Sequence, residues 1–340
     1  MTPRLTKLQK QLCSVLQDGL PICQRPFDDI ARFLGTTEQI VLQQTAALKA
    51  TGVIRRLGAL INYQTIGLSS TLVAAHIPDE SLPEVTAAVN SLENVSHNYL
   101  RTHYYNLWFT LQAGSLEEAN ITLANLSARF GLDFHSLPVE RIFKLDARFD
   151  PDSQNELLDI TLQKPTPPRL TPTPVFRQED VGVAGVHLNE NEKFLLTKLQ
   201  SDLQLIAKPF DLLCGGGLAI EDVLWLLTEL TDKGVIRRIA AVVDHHKLGF
   251  VANVLFVAKV SPDRIVEAGS ALARFGIVSH CYKRRTFENW PYNLFAMLHS
   301  RSMGEIQRSI DKFTQTQKID SFELLPTAAE LKKQPVKYHF

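Results

Sequence analysis

The strongest constraint on the fold is an internal repeat that spans most of the 340-residue chain. The segment GVIRRLG at Gly52 recurs as GVIRRIA at Gly234, and SHNYLR at Ser96 recurs as SHCYKR at Ser279. The spacing is 182 residues for the first pair and 183 for the second. A nearly constant spacing over such a length indicates two homologous halves, each long enough to bury a core of its own.

Each half begins with predicted short helices and continues with alternating strands and helices. In the first half, LTKLQKQLCSVLQDGL has apolar residues at helical spacing, PFDDIARFLG opens with proline and closes on glycine, and a third helix is predicted from Thr37 to Lys49. These helices predict a helix-turn-helix module, and GVIRRLGALINY after them predicts a β-hairpin-like element. The order strand, helix, strand, strand, helix, strand then predicts a ferredoxin-like sandwich with helices on one face of its sheet.

The fold class is therefore α+β, a tandem repeat of a helix-turn-helix module and a ferredoxin-like βαββαβ sandwich. Between the halves, five of the ten residues from Pro165 to Pro174 are proline, which favours an extended, semi-rigid spacer. The predicted domains are a helix-turn-helix-like module at 1–62, a ferredoxin-like domain at 63–150, a linker at 151–187, a second helix-turn-helix-like module at 188–244, a second ferredoxin-like domain at 245–326 and a tail at 327–340.

Composition excludes several classes of protein. Lys and Arg together number 36, as do Asp and Glu, so no excess of positive charge points to a nucleic-acid partner. The four cysteines form no C-x-x-C pair, so neither a disulfide framework nor a zinc site is expected, and no metal site is predicted. The N-terminus lacks an apolar leader and no run is long enough to span a membrane. We therefore expect a cytoplasmic protein with no membrane partner.

The predicted helix-turn-helix modules do not carry the side chains that DNA recognition requires. The candidate recognition helix of the first half has Lys49 as its only basic residue. Its counterpart in the second half carries Glu221, Asp222, Glu229 and Asp232, which DNA phosphates would repel. We therefore expect these helices to make dimer or intramolecular contacts and not to bind DNA.

The repeated His-x-Tyr-x-Arg pattern is the main candidate for a functional site. Side chains at i, i+2 and i+4 of a strand point to the same face, so His97, Tyr99 and Arg101 should lie side by side. The second copy places His280, Tyr282 and Arg284 in the same way. Such a surface suits a pocket for an anionic ligand. The alternative is an ordinary solvated sheet face, which also shows polar alternation.

Further candidates for ligand contacts lie close to this pattern in the sequence. Adjacent strand residues point to opposite faces, so one arginine of each repeated GVIRR is predicted to serve the site and the other the surface. Imidazole, phenol, guanidinium, amide and indole groups together can stack on a flat conjugated ligand and pair with its carboxylates. The candidates are Arg55, Arg56, His103, Asn106 and Trp108 in the first half and Arg237, Arg238, Arg285, Trp290 and Asn293 in the second. His245 and His246 are expected in a loop, with a ligand role as the alternative, and Cys281 is expected to be a packed thiol on the opposite face.

These motifs resemble two related families. A helix-turn-helix followed by a ferredoxin-like sheet resembles the leucine-responsive regulators, also called AsnC-like, which bind DNA and small ligands. The segments GVIRRLGA, SHNYLR and YNLWF, with GVIRRIAA, SHCYKR and YNLFA, resemble the siroheme decarboxylases more specifically, in the form that fuses two related subunits. The resemblance covers nearly the whole chain except the linker and the C-terminal tail.

The resemblance implies removal of the C12 and C18 acetate carboxylates of siroheme, giving 12,18-didecarboxysiroheme. The fused form resembles the branch that leads to heme d1, and the alternative branch leads to protoheme. Siroheme would be the substrate and no further cofactor is implied. His97 and His280 would donate protons or lie near the iron, assisted by Tyr99 and Tyr282, while the arginines hold carboxylates.

Other readings stay open at this point. A non-catalytic tetrapyrrole sensor would keep the same arginines and histidines, and a DNA-binding regulator would keep the helix-turn-helix modules. The two halves also differ, so one complete pocket between them and one degenerate pocket is an alternative to two active sites. Further pairing into a homodimer is expected, and other proteins of the heme d1 pathway are candidate partners.

Overall fold

A computed structural model of the protein describes residues 3–151 and 185–334. The first half contains α1 Lys7–Asp18, α2 Pro26–Leu34, α3 Glu38–Ala50, β1 Ile54–Ile61, β2 Ser69–Ala75, α4 Leu82–Ser91, β3 Val95–Arg101, β4 Leu107–Ala113, α5 Leu116–Phe130 and β5 Phe134–Leu145. The second half contains α6 Glu190–Leu199, α7 Ile220–Asp232, β6 Ile236–Val243, β7 Ala252–Ala258, α8 Ile265–Ala273, β8 Val278–Arg284, β9 Leu294–Ser300, α9 Met303–Gln317 and β10 Phe322–Lys333.

Local capping signals set the bounds of the helices in the first module. The side chain of Thr6 accepts a hydrogen bond from the backbone N–H of Gln9, and the Gln9 side chain accepts one from the backbone N–H of Thr6. Helix α1 begins at Lys7, the residue after Thr6. Helix α2 begins with Pro26 and ends at Gly35, which adopts the left-handed conformation that glycine tolerates. These contacts confirm the predicted helix-turn-helix module in the first half.

The second module differs from the first at its middle helix. Residues Pro209–Leu213, which correspond to α2, form only a short 3-10 helix. Cys214 and three consecutive glycines follow, and Gly215, Gly216 and Gly217 all have positive φ angles. This backbone cannot continue a right-handed helix, so the expectation of equal helices in both halves is wrong at this element.

The GVIRR segments do not form hairpins within their own halves. Instead β1 pairs antiparallel with β6, with Gly58 opposite Ala240. The two helical modules pack around this ribbon and share one hydrophobic core, in which Phe27 of the first half and Phe210 of the second are fully buried. The prediction of a hairpin-like element is therefore corrected to a ribbon between the halves.

Each half also forms the predicted ferredoxin-like sheet. The strand order is β3-β4-β2-β5 in the first half and β8-β9-β7-β10 in the second. Helices α4 and α5 cover one face of the first sheet, where Val85 and Leu123 pack on Phe109. Helices α8 and α9 cover the second sheet, where Leu272 and Phe313 pack on Phe256. One face of each sheet has no helix of its own.

The two sheets join edge to edge into a closed barrel. Strand β5 of the first half pairs with β8 of the second, with Ile142 opposite Tyr282. Strand β10 of the second half pairs with β3 of the first, with Glu330 opposite Tyr99. Closure removes the sheet edges that each half would otherwise expose. The faces without helices consequently form the barrel interior.

The C-terminal boundary predicted from the sequence is corrected. The chain was expected to leave the fold at Thr327, but β10 continues to Lys333 and closes the barrel. Most of the predicted linker at 151–187 and the last residues of the predicted tail, 335–340, lie outside the described residues. Near the end of the predicted linker, the backbone N–H of Val186 donates to the carbonyl oxygen of Thr65 at 2.7 Å.

Among residues 3–151 and 185–334, no helix has the length and apolar character needed to cross a lipid bilayer. The cytoplasmic location stays a prediction.

Candidate functional site

A cavity of about 550 Å³ lies between the barrel interior and the β1–β6 ribbon. Its size falls in the range of small-molecule sites. Both halves line the same cavity, so the described residues form one shared pocket and not a separate pocket in each half. The polar and charged side chains at its wall include Tyr63, His97, Tyr99, Arg101, Gln112, Arg237, Arg238, His245, Asn253, His280, Tyr282, Arg284, His299 and Lys333.

The His-x-Tyr-x-Arg segments occupy β3 and β8, as the sequence predicts. His97, Tyr99 and Arg101 all line the cavity, and the side chains between them point elsewhere. Asn98, for example, is fully buried and donates from its amide to Asn90 at 3.0 Å. His280, Tyr282 and Arg284 line the cavity in the same way. The alternative of an ordinary solvated sheet face is therefore not what the structure shows.

The two arginines of this pattern are held by the opposite half. Nη1 of Arg101 donates to the carbonyl oxygen of Leu325 at 2.9 Å, and Nη1 of Arg284 donates to that of Leu137 at 2.7 Å. Burial lowers the pKa of each guanidinium to about 10, which leaves both charged at neutral pH. The Nε–H of each has no hydrogen-bond partner among the described residues, so each keeps a buried donor for a ligand.

The second GVIRR segment contributes both of its arginines to the cavity wall, which corrects the expectation of one per pair. Nη1 of Arg238 donates to Oδ1 of Asp146 at 3.1 Å, and Asp146 also accepts from Nη2 of Arg148 at 2.5 Å. The two guanidinium groups hold the pKa of the Asp146 carboxyl below its usual value, against the effect of burial. Arg237 has a lowered pKa, chiefly because it is desolvated.

Each histidine of the pattern bonds the serine that precedes it. Nδ1 of His97 lies 2.9 Å from Oγ of Ser96, and Nδ1 of His280 lies 2.9 Å from Oγ of Ser279. The Ser279 hydroxyl donates to the carbonyl oxygen of Met297 at 3.2 Å, so it accepts from His280. A neutral His280 is therefore protonated on Nδ1 and carries no proton on Nε2.

Burial sets the charge of these histidines in the absence of substrate. Desolvation, followed by the positive charge of Lys333, lowers the pKa of His97 to about 4. Desolvation, followed by the charge of Arg237, lowers the pKa of His280 to about 3. Both rings are therefore neutral at pH 7, and an anionic ligand would be needed to favour their protonated forms.

The tyrosines contribute neutral phenols to the wall. Burial raises the pKa of Tyr99 and of Tyr282 to about 12. The guanidinium carbon of Arg284 lies 4.8 Å from the centroid of the Tyr282 ring, and that of Arg101 lies 5.4 Å from the Tyr99 ring. These contacts orient each arginine along the cavity wall.

The structure places three predicted site residues in structural roles outside the cavity lining. Asn106 donates from Nδ2 to the carbonyl of Ile77 at 2.8 Å and accepts from the N–H of Ile77 at 2.9 Å. Asn293 forms the same pair of bonds with Val260, so each amide links the chain just before one strand to the chain just after its antiparallel partner. His103 follows the end of β3, and its Nε2 lies 2.8 Å from a carboxylate oxygen of Glu323. None of these three side chains lines the cavity, although the sequence predicted all three as ligand contacts.

Three predicted arginines also lie outside the cavity lining. Arg55 is exposed, although its charge helps to lower the pKa of His97, which places it near the rim. Arg56 donates to the carbonyl oxygens of Gln200 at 3.0 Å and Ala59 at 2.7 Å. Arg285 is exposed, with its Nε 3.8 Å from a carboxylate oxygen of Glu140. Residues that flank a strand or lie at the edge of the ribbon need not face the pocket, even when they belong to a repeated sequence motif.

The two tryptophans have different positions. Trp108 is buried at the cavity wall and donates from Nε1 to the carbonyl oxygen of Tyr105 at 2.7 Å. Trp290 is buried behind the wall, where its ring contacts Trp108 at a centroid distance of 5.4 Å. Trp290 therefore supports the pocket and does not line it. Cys281 lies on the other face of β8, where its Sγ contacts the carbonyl oxygen of Gly269, as predicted for a packed thiol.

Several residues of the pocket were not among the site residues predicted from the sequence. His245 lies in a turn, as expected, but it is buried and lines the cavity. His299 on β9 and Asn253 on β7 lie opposite each other at the same end of the cavity. Lys333 reaches the wall from the end of β10, in the segment predicted to be a tail. The available sequence signal for His245 was its place two residues after the end of β6. The signal for His299 was a histidine at an inward position of β9.

The charge of the cavity is one-sided. Five cationic side chains line it, whereas no aspartate or glutamate does so among the described residues. The cations are Arg101, Arg237, Arg238, Arg284 and Lys333. Inside a pocket of low dielectric such an excess favours a ligand with several anionic groups. The apolar wall, which includes Leu72, Ile142 and Phe295, suits a flat hydrophobic body.

Comparison with known proteins agrees with this description. The AsnC-like ligand binding domain matches residues 65–144 and 247–332, and the Siroheme decarboxylase NirDL-like HTH domain matches residues 9–55. A siroheme decarboxylase of Hydrogenobacter thermophilus is 31% identical over 333 residues, which cover 96% of this chain and 94% of the relative. The chain belongs to the siroheme decarboxylase family. The predicted resemblance is confirmed.

Other members of the siroheme decarboxylase family show the same arrangement at different lengths. The siroheme decarboxylase NirDL subunit of Paracoccus denitrificans is 30% identical over 303 residues, covering 88% of this chain and 86% of the relative. The alpha subunit from Desulfovibrio desulfuricans is 39% identical over 151 residues, covering 44% of this chain and 87% of the relative. The crystal structure of the siroheme decarboxylase NirDL in co-complex with an iron-uroporphyrin III analogue superposes with a TM-score of 0.70 at 29% identity, covering 98% of this chain and 95% of that one. These matches confirm the tandem fold predicted from the repeat.

Proposed function

We propose that the chain is a carboxy-lyase that removes the C12 and C18 acetate carboxylates of siroheme and releases 12,18-didecarboxysiroheme. The observation that carries the proposal is the cavity itself, which is lined by five cationic side chains and, in the described part of the chain, by no carboxylate. Siroheme is a flat macrocycle fringed by acetate and propionate groups, so its shape and charge complement this wall. Relatives named siroheme decarboxylase along nearly the full chain support the same substrate.

The arginines supply the binding step. Guanidinium groups stay charged at every physiological pH and can hold carboxylates through two parallel hydrogen bonds. Arg101, Arg237, Arg238 and Arg284 each line the cavity with an Nε–H that has no partner among the described residues. A substrate carboxylate would satisfy such a buried donor, and several of these contacts together would fix the macrocycle against the wall.

The histidines supply the proton. When an acetate arm loses carbon dioxide, the bond between its methylene carbon and its carboxyl carbon breaks and the electron pair stays on the methylene carbon. The conjugated macrocycle of the substrate delocalises that charge. An imidazolium of His97 or His280 then transfers one proton to the carbon, leaving a methyl group and a neutral ring, which recovers its proton from water. Each cycle thus consumes one proton for each carbon dioxide released.

The substrate itself prepares the acid. Burial keeps the pKa of His97 near 4 and that of His280 near 3, so both rings are neutral before binding. Carboxylates brought into the cavity place negative charge beside the rings, which raises their pKa and favours the imidazolium form. The neutral phenols of Tyr99 and Tyr282, with pKa values near 12, are available to orient a carboxylate or an imidazole.

The decisive experiment is anaerobic incubation of the purified protein with siroheme, followed by mass spectrometry of the extracted tetrapyrrole. The proposal expects a product lighter than siroheme by two molecules of carbon dioxide. Siroheme that binds to the protein and is recovered intact would contradict the proposal and favour a non-catalytic sensor. Omission of every added cofactor tests the further proposal that the reaction needs no cofactor beyond its substrate, siroheme.

The physiological branch and the assembly are finer parts of the proposal. We extend it to heme d1 biosynthesis, because the chain matches the fused NirDL form over nearly its whole length. Production of heme d1 by a denitrifying strain that lacks its own siroheme decarboxylase and expresses this chain would test that step. We also propose a homodimer, which sedimentation analysis of the purified protein tests. Candidate partners among other heme d1 proteins would be sought by pull-down from such a strain.

DNA binding is not part of the proposed function. In the first module, the only basic side chain of α3, Lys49, forms an ion pair with Asp202. In the second module, the first turn of α7 contains Glu221 and Asp222, which a phosphate backbone would repel. A mobility-shift assay at low salt should show no shift of duplex DNA, and a salt-sensitive shift would revive the regulator alternative.

A further inference from the structure

One end of the cavity carries three buried polar groups that the proposed reaction does not use. His245, His299 and Asn253 all line this end, and each is at most 9% exposed. The ring centroids of His245 and His299 are 4.8 Å apart. Asn253 lies directly opposite His299 where β7 pairs with β9, so the two side chains share a sheet face. Phe149 closes the cluster, with its ring centroid 5.1 Å from that of His299.

The polar atoms of this cluster lack partners. Nε2 of His245, Nδ1 of His299 and Oδ1 of Asn253 are all buried without a hydrogen bond among the described residues. Buried polar groups in folded proteins are nearly always bonded, because leaving one unpaired costs about 1–3 kcal/mol. The two imidazole nitrogens at one end of a cavity therefore indicate a place for a ligand group that accepts hydrogen bonds from them, whereas Oδ1 of Asn253 requires a donor.

The surroundings specify an anion. The positive charge of Lys333 lies close enough to contribute to lowering the pKa of both His245 and His299. No aspartate or glutamate is among the described residues that line the cavity. A neutral imidazole can donate one hydrogen bond from a ring nitrogen, and the Asn253 amide can donate from Nδ2 but not from its unpartnered Oδ1, whereas a carboxylate accepts several hydrogen bonds at once. Among the described residues no carboxylate lines the cavity, so a cation bound there would lack the carboxylate ligands that cations prefer.

Comparison of the two copies of the repeat shows that the residue types of this cluster occur at these positions only in the second half. The residues at the corresponding positions of the first half are Tyr63, Ser70 and Gln112, which line the opposite end of the same cavity. The pairing confirms the correspondence, because Ser70 lies opposite Gln112 as Asn253 lies opposite His299. The two ends of a pocket with approximate two-fold symmetry therefore differ in chemistry.

From this asymmetry we infer that His245, His299 and Asn253 form a subsite for one carboxylate arm of the tetrapyrrole, and that this subsite determines which way round the macrocycle is bound. The inference rests on the proposed function for the identity of the ligand. A pocket whose two ends were alike would accept the macrocycle in two orientations related by a half-turn. A carboxylate subsite at one end favours one of them, so the same acetate arms meet the same catalytic groups in every cycle.

The test replaces the three groups by side chains that cannot donate a hydrogen bond, in the triple variant His245→Phe, Asn253→Leu and His299→Leu. Absorbance titration with iron uroporphyrin III measures ligand affinity without turnover. We expect affinity to fall at least about tenfold, because hydrogen bonds to a charged group are lost. His246→Gln is the matched control: His246 adjoins the cluster but is exposed, and the first half carries Gln64 at that position, so its affinity should equal that of the unaltered protein.

A second ligand identifies the arm. Iron coproporphyrin III carries methyl groups in place of the acetates and keeps the propionates. If the triple variant weakens binding of both porphyrins equally, the subsite holds a propionate; if it weakens only iron uroporphyrin III, the subsite holds an acetate. Unchanged affinity for both would overturn the inference. A change in the electron paramagnetic resonance spectrum of the iron with unchanged affinity would also overturn it, and would assign an imidazole to the iron.

The isomers formed during partial turnover test the orienting role of the cluster. If the cluster had only a structural role, its replacement would not change which isomer forms. Partial reaction of siroheme by the unaltered protein should give one monodecarboxylated isomer, whereas the triple variant should give a mixture of isomers. A single isomer from a correctly folded triple variant with weakened binding would overturn the orienting role. If the unaltered protein binds iron uroporphyrin III but leaves siroheme intact, the proposed function fails, and the titrations still decide the subsite.

Discussion

Nη1 of Arg284 in the second half donates to the carbonyl oxygen of Leu137 in the first half, at 2.7 Å. The same contact occurs in reverse between Arg101 and Leu325, at 2.9 Å. Each of these two guanidinium groups is thus oriented by a strand that belongs to the other copy of the repeat. The guanidinium is held on one side by this bond and keeps its Nε–H for a ligand.

Replacing Arg284 by lysine should weaken substrate binding more than folding. An ammonium group keeps the charge but loses the planar fork that reaches Leu137 and a carboxylate together. We expect the Kd for iron uroporphyrin III to rise at least about tenfold, measured by absorbance titration, with the far-ultraviolet circular dichroism unchanged. The control is Arg285→Lys, since Arg285 is exposed and outside the cavity lining. Equal affinities of the two variants would contradict the role assigned to Arg284.

Replacing His280 by glutamine should lower kcat by about 10²–10⁴-fold if its imidazole delivers the proton. Glutamine retains hydrogen bonding but cannot donate a proton from a charged form. Single-turnover assays with siroheme measure the chemical step, and the same change at His97 tests the other half of the pocket. His103→Gln serves as a control, because His103 lies outside the cavity lining. Near-normal turnover by the His280 variant would remove this residue from the mechanism.

Ser279 is a positioning residue, since it fixes the tautomer of His280 through the bond between Oγ and Nδ1. In Ser279→Ala the ring gains a second tautomer and loses its orientation, so we expect kcat to fall by about fivefold to tenfold, equivalent to the loss of one hydrogen bond. The affinity for iron uroporphyrin III should stay unchanged. Rescue by Ser279→Thr, which restores the hydroxyl, would distinguish positioning from a general packing defect. Equal kcat values for the alanine and threonine variants would refute it.

The buried histidines should make the free protein less stable in mild acid. Because burial lowers the pKa of His97 to about 4 and of His280 to about 3, the unfolded chain binds more protons than the native protein below the ordinary value of 6.5. The part of the free energy of unfolding that depends on these neutral histidines is therefore retained above about pH 6.5 and lost as the pH falls toward 4. The loss is at most about 1.4 kcal/mol per pH unit for each histidine. Denaturant titrations between pH 7 and 4.5 measure it.

The charged groups that act on these two rings are known, so the origin of the pH effect can be tested. Lys333, Glu330 and Arg55 act on His97, and Arg237, Asp146 and Lys144 act on His280. In His280→Gln the unfolding free energy should depend less steeply on pH over the same interval. An unchanged slope would show that other groups, such as carboxylates in ion pairs, cause the loss of stability.

Ending the chain after Pro326 should destabilise the barrel. The missing segment includes Thr327, whose hydroxyl accepts from Nη1 of Arg101 at 3.1 Å, and the rest of the strand that pairs with β3. We expect Tm to fall by at least about 10 °C, because the truncation loses a row of strand contacts and exposes an edge. A chain ending after Gln334 keeps β10 whole and is the control. Equal Tm values would show that the extension contributes little.

Local sequence patterns were sufficient for the part of the site that depends on local geometry. The alternation of a strand placed His97, Tyr99 and Arg101 on one face, and the repeat extended the conclusion to the second half. Both depend on neighbouring residues only, so no knowledge of long-range pairing was required. The same reasoning failed at His103, because β3 ends two residues earlier and the alternation ends with it.

Features that depend on contacts between the halves could not be predicted in this way. Nothing in GVIRRLG or GVIRRIA indicates that β1 pairs with β6 and not within its own half. The strand beyond Thr327 looks like a polar tail when its partner β3 is not known. Asn106 had the composition of a ligand contact, but its amide bonds the backbone of Ile77, a residue distant in sequence. The direction of the His245 side chain could not be predicted, because a turn has no periodicity that relates sequence position to a face.

The exchange of strands between the two copies has a consequence for how the protein can change over generations. Since β5 completes the sheet of the second copy and β10 that of the first, a substitution in either strand alters the wall faced by the other copy. The copies must therefore evolve as a pair, even though one chain encodes both. We expect a chain severed in its proline-rich middle to stay associated, because β1 with β6, β3 with β10 and β5 with β8 pair across the two copies.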